Sequence, residues 1–261
     1  MNTDIITSTQ NVRIKRLLVL QQKSSERRRT GLFVVEGRRE LSHCLEAGLH
    51  VEEVYCCAEL CSDELSFPAG TAVFEVSPSV YARMAYRGGT EGVIAVVRQR
   101  ALTLADISLG SSPLIVVLES VEKPGNLGAV LRSADAAGAT AVIVCDPLTD
   151  LCNPNLIRAS LGAFFSVPVV ACQSEECIDF LKANGIAILT AQLQDSTLYY
   201  ATDMRRPVAI VMGTEADGLT PQWRQAADEH IRIPMLGKLD SLNVSVSAAI
   251  LLFEAVRQRH R

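Results

Sequence analysis

The chain of 261 residues is long enough to bury a large core in one or two domains. Its composition is globular, with 48% hydrophobic and 21% charged residues and a net charge of −4. No apolar run approaches the ~20 residues of a membrane-spanning helix, and the N-terminus lacks the apolar centre of a signal peptide. We therefore expect a cytoplasmic protein without a membrane segment.

The first hundred residues predict a compact α/β domain. An amphipathic helix over residues 11–22 and a charged connector at 26–30 come first. Alternating short strands and helices follow, and a buried strand closes the unit. The predicted strands are residues 32–36, 51–57, 71–76 and 92–97, and the helices are 38–47 and 78–86.

Residues 101–112 lose strong periodicity and predict a linker, so we divide the chain into domains at 1–100 and 113–261. Apolar strands alternate with helices after the linker, which is typical of a parallel sheet covered on both faces. The predicted strands are residues 114–118, 141–145, 167–171, 186–190, 208–212 and 231–233. The predicted helices are 127–137, 154–161, 175–183, 221–227 and 244–258.

The charge of the chain is unevenly spread. Residues 1–40 carry nine Lys and Arg against four Asp and Glu, a net +5 in a chain of −4. A basic end on an acidic protein indicates contact with nucleic-acid phosphates, but a solvated basic helix face explains the same pattern. Charge alone leaves both interpretations open.

Ligands of open parallel sheets bind at the carboxyl ends of the strands, so the segments after each strand are the candidate sites. Asn126 and Arg132 both follow strand 114–118. Asn126 lies between two glycines, and Arg132 comes after the second of them. The segment lacks the Gly-x-Gly-x-x-Gly fingerprint and the Gly-Lys-Ser/Thr of nucleotide-binding loops. A dinucleotide-binding dehydrogenase and a P-loop NTPase are therefore disfavoured, while a plain helix cap with a surface arginine stays open.

Two later segments also place polar groups at predicted strand ends. Glu215 lies in the glycine-rich turn after strand 208–212, and Ser241 and Asn243 precede the last apolar helix. Each segment alone is explained by a tight turn or a helix cap. Three such loops at one sheet edge together indicate a binding site.

Cysteine and histidine spacing predicts no metal site. The eight cysteines form no Cys-x-x-Cys pair, and the four histidines show no ligand spacing. Several cysteines lie in apolar runs, as expected for buried free thiols in a reducing compartment.

Three segments resemble the motifs of the SpoU/TrmH RNA 2′-O-ribose methyltransferases. They are PGNLGAVLRSADAAG (124–138), VMGTEADGL (211–219) and IPMLGKLDSLNVSVSAAILLFE (233–254), in the family's order. The resemblance implies an α/β C-terminal domain whose parallel sheet carries a deep trefoil knot, a rare topology. It also implies S-adenosylmethionine as cofactor, a homodimer packed through the last helix, and a smaller N-terminal α/β RNA-binding domain.

The resemblance also assigns site residues, one matched position at a time. The cofactor-binding positions are Thr190, Ala191, Gln192, Gly213, Ile233 and Leu242. The catalytic and substrate-contacting positions are Asn126, Arg132, Glu215, Ser241 and Asn243. From the basic N-terminal stretch, rather than from matched positions, we expect Arg27, Arg28, Arg29 and Arg38 to contact RNA phosphates.

The function that the resemblance implies is methyl transfer from S-adenosylmethionine to a ribose 2′-hydroxyl, with ribosomal RNA favoured by the N-terminal domain. The same chemistry on transfer RNA and a non-catalytic RNA-binding module are the alternatives. The sequence does not identify the nucleotide.

Overall fold

The computed structural model describes residues 5–61, 66–86, 91–214 and 218–260. The chain divides into two compact units. The first comprises Met1–Arg100 together with Asp150–Phe165, and the second comprises Ala101–Thr149 together with Ser166–Arg261. The short segment 150–165, which the sequence places in the C-terminal domain, therefore packs as part of the first unit.

The helices and strands are numbered in chain order. The helices are α1 (Val12–Gln22), α2 (Ser24–Thr30), α3 (Arg38–Glu46), α4 (Pro78–Met84), α5 (Pro124–Ala136), α6 (Pro154–Ala159), α7 (Ala163–Ser166), α8 (Ser174–Ala183), α9 (Pro221–Ala226) and α10 (Val244–Arg259). The strands are β1 (Leu32–Glu36), β2 (Val51–Cys56), β3 (Ala72–Glu75), β4 (Val93–Arg98), β5 (Leu114–Glu119), β6 (Ala141–Cys145), β7 (Val169–Cys172), β8 (Ala187–Ala191), β9 (Thr197–Leu198), β10 (Val208–Met212) and β11 (Glu229–Arg232).

The first unit is built on a four-stranded sheet in the order β1-β4-β2-β3. Strands β1 and β2 both run antiparallel to β4, whereas β3 runs parallel to β2. The apolar face of α1 supplies Ile14, Leu17 and Leu20 to the core of this unit. The predicted α/β character of the first hundred residues is confirmed.

The charged connector predicted at 26–30 is wrong, because helix α2 occupies this segment. Glu26 lies in its first turn and the arginines lie in its last turn, which suits the helix dipole. Gly31 ends the helix in the left-handed conformation, at φ 65°. These end effects stabilise a helix that has no apolar periodicity.

Segment 150–165 belongs to the first unit through specific contacts. The Arg27 guanidinium Nε lies 2.6 Å from the Asp150 carboxylate. The Phe33 ring of β1 lies 6.4 Å, between centroids, from the rings of both Phe164 and Phe165. These residues close one side of the first unit's sheet.

The second unit is built on a seven-stranded sheet in the order β7-β6-β5-β10-β8-β11-β9, in which every pair of neighbours is parallel. Strands β5, β6 and β10 are buried along their whole length. This confirms the predicted parallel sheet. The two-residue strand β9 was not predicted because it is too short to show a hydrophobic pattern. The knot stays a prediction.

Helix α10 packs against α5. It runs from the carboxyl ends of the central strands to the segments that lead into β5 and β10. Asn243 caps its start by accepting a hydrogen bond from the Ser245 backbone N–H at 2.9 Å. At its end, the Arg259 guanidinium donates to the carbonyl oxygens of Ser112, Pro113, Met204 and Arg206 at 2.7–3.2 Å. Both ends of this helix are therefore fixed by hydrogen bonds.

The residues that the structure describes include no helix with the length and apolar character needed to cross a bilayer.

Candidate active site

A cavity of about 330 Å³ lies at the carboxyl ends of β8, β10 and β11. This volume is sufficient for a small-molecule ligand or cofactor. Four stretches of chain supply the lining. The lining residues are Ala191, Gln192, Leu193, Gln194, Met212, Gly213, Thr214, Gly218, Leu219, Arg224, Ile231, Arg232, Ile233, Met235, Asp240, Ser241, Leu242, Val244 and Ser247.

The turn after β10 forms one wall, and it requires glycine at position 213. Thr214 and Gly218 exchange two backbone hydrogen bonds, of 3.3 and 3.2 Å, which close the turn on itself. A Cβ atom at Gly213 would lie 2.2 Å from the Gly218 carbonyl oxygen. The glycine thus lets the chain fold back closely and leaves backbone groups facing the cavity.

Gln192 offers a hydrogen-bond acceptor at the opposite wall. Its side-chain Nε2 donates to the Gln194 carbonyl at 2.9 Å, which holds the amide in place. Its Oε1 is buried and has no hydrogen-bond partner among the described residues. A buried acceptor without a partner is costly, so this atom fits a ligand that brings an N–H or O–H donor.

Five of the six predicted cofactor positions line the cavity, namely Ala191, Gln192, Gly213, Ile233 and Leu242. Thr190 does not. Its side chain is fully buried, and its Oγ1 lies 2.6 Å from Nδ1 of His230 on β11. Thr190 therefore supports the cavity wall by joining β8 to β11.

Two of the polar side chains predicted for catalysis, Asn126 and Asn243, meet at the start of two helices. The Asn243 side-chain Nδ2 donates to Oδ1 of Asn126, in the first turn of α5, at 3.2 Å. Ser241 is exposed and lines the cavity. Asn243 lies between two lining residues, Leu242 and Val244, so the hydrogen-bonded asparagines adjoin the cavity.

Arg132 lies six residues after Asn126, on an exposed position of α5. In the part of the chain that the structure describes, no hydrogen bond or ion pair holds its guanidinium. The side chain is therefore available to a ligand at the surface. Glu215, the remaining predicted catalytic residue, lies outside the described residues.

Glu119 is a site residue that the sequence analysis missed. It ends the central strand β5 with a side chain that is 2% exposed. Its carboxylate accepts hydrogen bonds from the Thr220 backbone N–H at 2.9 Å and the Thr220 hydroxyl at 2.7 Å. Glu119 thereby fixes the chain where the glycine turn passes into α9. A lone acidic residue closing an apolar strand is the signal that could have identified it.

The predicted phosphate contact of Arg27 is wrong. The residue is 2% exposed, and it bonds to Asp150 and to the carbonyl of Leu20. Arg28 is exposed, and Arg29 is exposed but forms two hydrogen bonds with Glu26. Arg38 is half-buried, and its Nη1 lies 3.5 Å from the Cys61 sulfur.

The fold and the cavity define an α/β protein with a small-molecule site at the carboxyl edge of a parallel sheet. The SpoU rRNA Methylase family matches residues 113–253, and the MRM3-like substrate binding domain matches residues 11–95. The chain belongs to the SpoU rRNA Methylase family.

Proteins of known structure and activity resemble the chain along most of its length. The 23S rRNA (uridine(2479)-2′-O)-methyltransferase of Streptomyces viridochromogenes is 30% identical, over 97% of this chain and 92% of its own. A crystal structure of an RNA 2′-O ribose methyltransferase is 40% identical, with a TM-score of 0.85 over 98% of this chain and 99% of that one. The AdoMet-bound rRNA methyltransferase from Sinorhizobium meliloti is 30% identical, with a TM-score of 0.88 over 97% of both chains.

Proposed function

We propose that this protein transfers a methyl group from S-adenosylmethionine to a ribose 2′-hydroxyl of ribosomal RNA. The observation that carries the proposal is the Asn126–Asn243 hydrogen bond beside the cavity. It joins two of the segments that resemble the family's motifs. The exposed Arg132 lies on the same helix as Asn126. The full-length relatives named as rRNA 2′-O-methyltransferases support the same reaction.

The cavity residues suit S-adenosylmethionine. Gly213 lets the turn that lines the cavity fold back against Gly218, and the buried Gln192 Oε1 can accept a hydrogen bond from a ligand. Ala191, Ile233 and Leu242 add apolar and backbone surface. The bound cofactor supplies a methyl group activated by its sulfonium.

The polar residues at the cavity and beside it would orient the attacking hydroxyl and stabilise the negative charge that it develops. Asn243 positions Asn126, and Ser241, two residues before Asn243, lines the cavity. A guanidinium keeps its proton in water, so we assign Arg132 to binding the ribose hydroxyl and the adjacent phosphate and to stabilising the alkoxide that develops. A second acceptor then takes the hydroxyl proton. Fixing these groups in place contributes much of the rate.

Arg132→Lys tests the role of the guanidinium, since lysine keeps the charge and loses the planar fork. We expect kcat to fall by about tenfold or more while the affinity for S-adenosylmethionine stays unchanged. Single-turnover methylation of ribosomal RNA and calorimetry measure the two quantities. A variant that methylates at the wild-type rate removes Arg132 from the reaction.

Gly213→Ala tests the cavity. The added Cβ meets the Gly218 carbonyl, so we expect the affinity for S-adenosylmethionine to fall by about tenfold or more. Gly110→Ala is the matched control, because no atom lies within 4 Å of a Cβ at that position. If calorimetry of the wild-type protein with S-adenosylmethionine shows no heat of binding, the protein is instead a non-catalytic RNA-binding module.

The first unit supports recognition of RNA, as its match to a substrate-binding domain suggests. Arg28, Arg29 and Arg38 remain the proposed phosphate contacts, in a protein that acts in the cytoplasm. Mapping 2′-O-methylation in a deletion strain distinguishes the substrates. Loss of a methyl group from ribosomal RNA supports the proposal, whereas loss from transfer RNA identifies the alternative substrate.

We further propose that two copies associate through α10, in the knotted arrangement that the family resemblance implies. On this helix, Phe253 is 49% exposed, whereas Ala248 and Leu252 are fully buried within the unit. Val246 adds exposed apolar surface on the same helix. We expect Phe253→Glu to shift the protein from dimer to monomer in light scattering. Leu148→Glu, at another exposed apolar residue, should leave the mass unchanged.

A further inference from the structure

Three cysteines that are distant in the sequence meet in the second unit. The Sγ atoms of Cys145, Cys172 and Cys177 all lie within 4.8 Å of one another. Cys145 and Cys177 are fully buried, and Cys172 is half-buried. The cluster thus has a buried base and one side nearer to solvent.

Rigid elements hold each sulfur in place. Cys145 and Cys172 end the neighbouring strands β6 and β7 and face each other in register. Cys177 comes from α8, whose start packs over these strand ends. The Asp146 backbone N–H, next to Cys145, donates to the Cys172 carbonyl at 3.0 Å. Little chain movement is needed to bring the three sulfurs to one centre.

The spacing of the sulfurs suits a shared ion. A Zn²⁺ ion bound at ~2.3 Å by three thiolates places their sulfur atoms roughly 4 Å apart, so a contraction of less than about 1 Å suffices. A disulfide joins only two sulfurs and leaves the third aside. Thiolates prefer soft ions such as Zn²⁺ and Cu⁺ over Mg²⁺ or Ca²⁺.

A hydrogen-bonded chain lies behind the cluster. The Trp223 indole N–H donates to the Ser174 hydroxyl at 2.9 Å, and that hydroxyl donates to the Asp146 carboxylate at 2.5 Å. Asp146 follows Cys145 directly and adopts φ 48°, a conformation that non-glycine residues rarely take. These bonds fix Asp146 and Ser174, the residues next to Cys145 and at the start of α8, and so hold the backbone that carries two of the sulfurs.

We propose that Cys145, Cys172 and Cys177 bind one thiophilic metal ion, with Zn²⁺ as the representative ion, through three thiolates. Three thiol protons pass to water on binding, and a water molecule completes the coordination at the side of Cys172. The site is separate from the cofactor cavity. A metal ion bound there would join α8 to the carboxyl ends of β6 and β7.

Titration of the reduced full-length protein with Co²⁺ tests the proposal, because thiolate ligation gives an intense near-ultraviolet charge-transfer band. We expect saturation at one Co²⁺ per chain and loss of the band when Zn²⁺ is added. In Cys172→Ser, Zn²⁺ affinity should fall at least about 100-fold. Cys56→Ser, at another half-buried cysteine, should keep both the band and the affinity.

The melting temperature tests the same proposal and shows whether a variant folds poorly. Zn²⁺ should raise the melting temperature of the wild type and of Cys56→Ser, because the ion binds the folded state. It should leave that of Cys172→Ser unchanged. The proposal is overturned by the absence of a thiolate band in the wild type, or by a band of equal strength in Cys172→Ser. Either result identifies the cluster as an ordinary group of core thiols.

Discussion

Arg27 shows how strongly the surroundings decide the role of a charged side chain. Its guanidinium bonds to Asp150 and to the carbonyls of Leu20 and Gln21 inside the first unit. A buried ion pair contributes little net stability, but removing one partner leaves the other charge buried without compensation. Arg28, the next residue, points to solvent.

We expect Arg27→Ala to lower the free energy of unfolding by about 3 kcal/mol. Arg28→Ala should leave stability unchanged and weaken RNA binding, with a smaller dependence of the affinity on salt. Urea denaturation and RNA-binding titrations over a salt series measure the two effects. If both variants weakened RNA binding equally without any loss of stability, the assignment of Arg27 to the core would be wrong.

For single residues, the sequence predicts the position of some, whereas that of others becomes apparent only in the folded structure. Gly213 and Leu242 were assigned through the family resemblance of their motifs, and both line the cavity. The burial of Arg27 was not visible, because its partner Asp150 lies 123 residues away. The same holds for the cysteine cluster, which forms only when β6, β7 and α8 are packed together.

Helix α10 makes a different set of hydrogen bonds at each of its two ends. Its start holds Asn243 against Asn126 beside the cavity, and its end holds Arg259 against four backbone carbonyls. Those carbonyls belong to the segments that lead into β5 and β10. The position of Asn243 therefore depends on the far end of the same helix.

Arg259→Ala should lower the free energy of unfolding by about 2 kcal/mol, since it removes charge-assisted hydrogen bonds to several carbonyls. Arg205→Ala is the control. Arg205 pairs with Asp203 at the surface, where both side chains are exposed, so its removal should cost less than that of Arg259. Thermal unfolding with amide hydrogen exchange along α10 measures both. Equal effects of the two variants would show that the carbonyl contacts do not fix the helix.

Apolar patterning made the elements of the second unit predictable. Strands β5, β6 and β10 are continuous apolar runs, which a sheet covered on both faces requires. Helix α2 has no such pattern. Its stability comes from Gly31 and from the charges at its ends. Patterning finds elements that bury a face and misses those that depend on their termini.

At the scale of the whole molecule, the chain passes between the two units three times, after Arg100, after Thr149 and after Phe165. The predicted domains followed the order of the sequence and could not show the return of segment 150–165. That segment completes the first unit through α6, the Phe33 cluster and the Arg27–Asp150 pair.

A protease site inserted between Gly110 and Ser111 tests this arrangement. We expect the two fragments to elute together in gel filtration after cleavage, because residues 150–165 of the second fragment stay packed in the first unit. Phe165→Ser, which removes one ring from the Phe33 cluster, should release the fragments at lower denaturant. Fragments that separate without denaturant would contradict the expected packing.

The returning segment also limits how this protein can be recombined with its relatives. An exchange of the first hundred residues alone would leave Leu156, Ile157 and Phe165 facing a surface they did not evolve with, although all three are buried in this chain. A chimera intended to transfer RNA-target preference must therefore carry Asp150–Phe165 along with the N-terminal part. The residues that form the first unit are therefore encoded by two separate stretches of the gene.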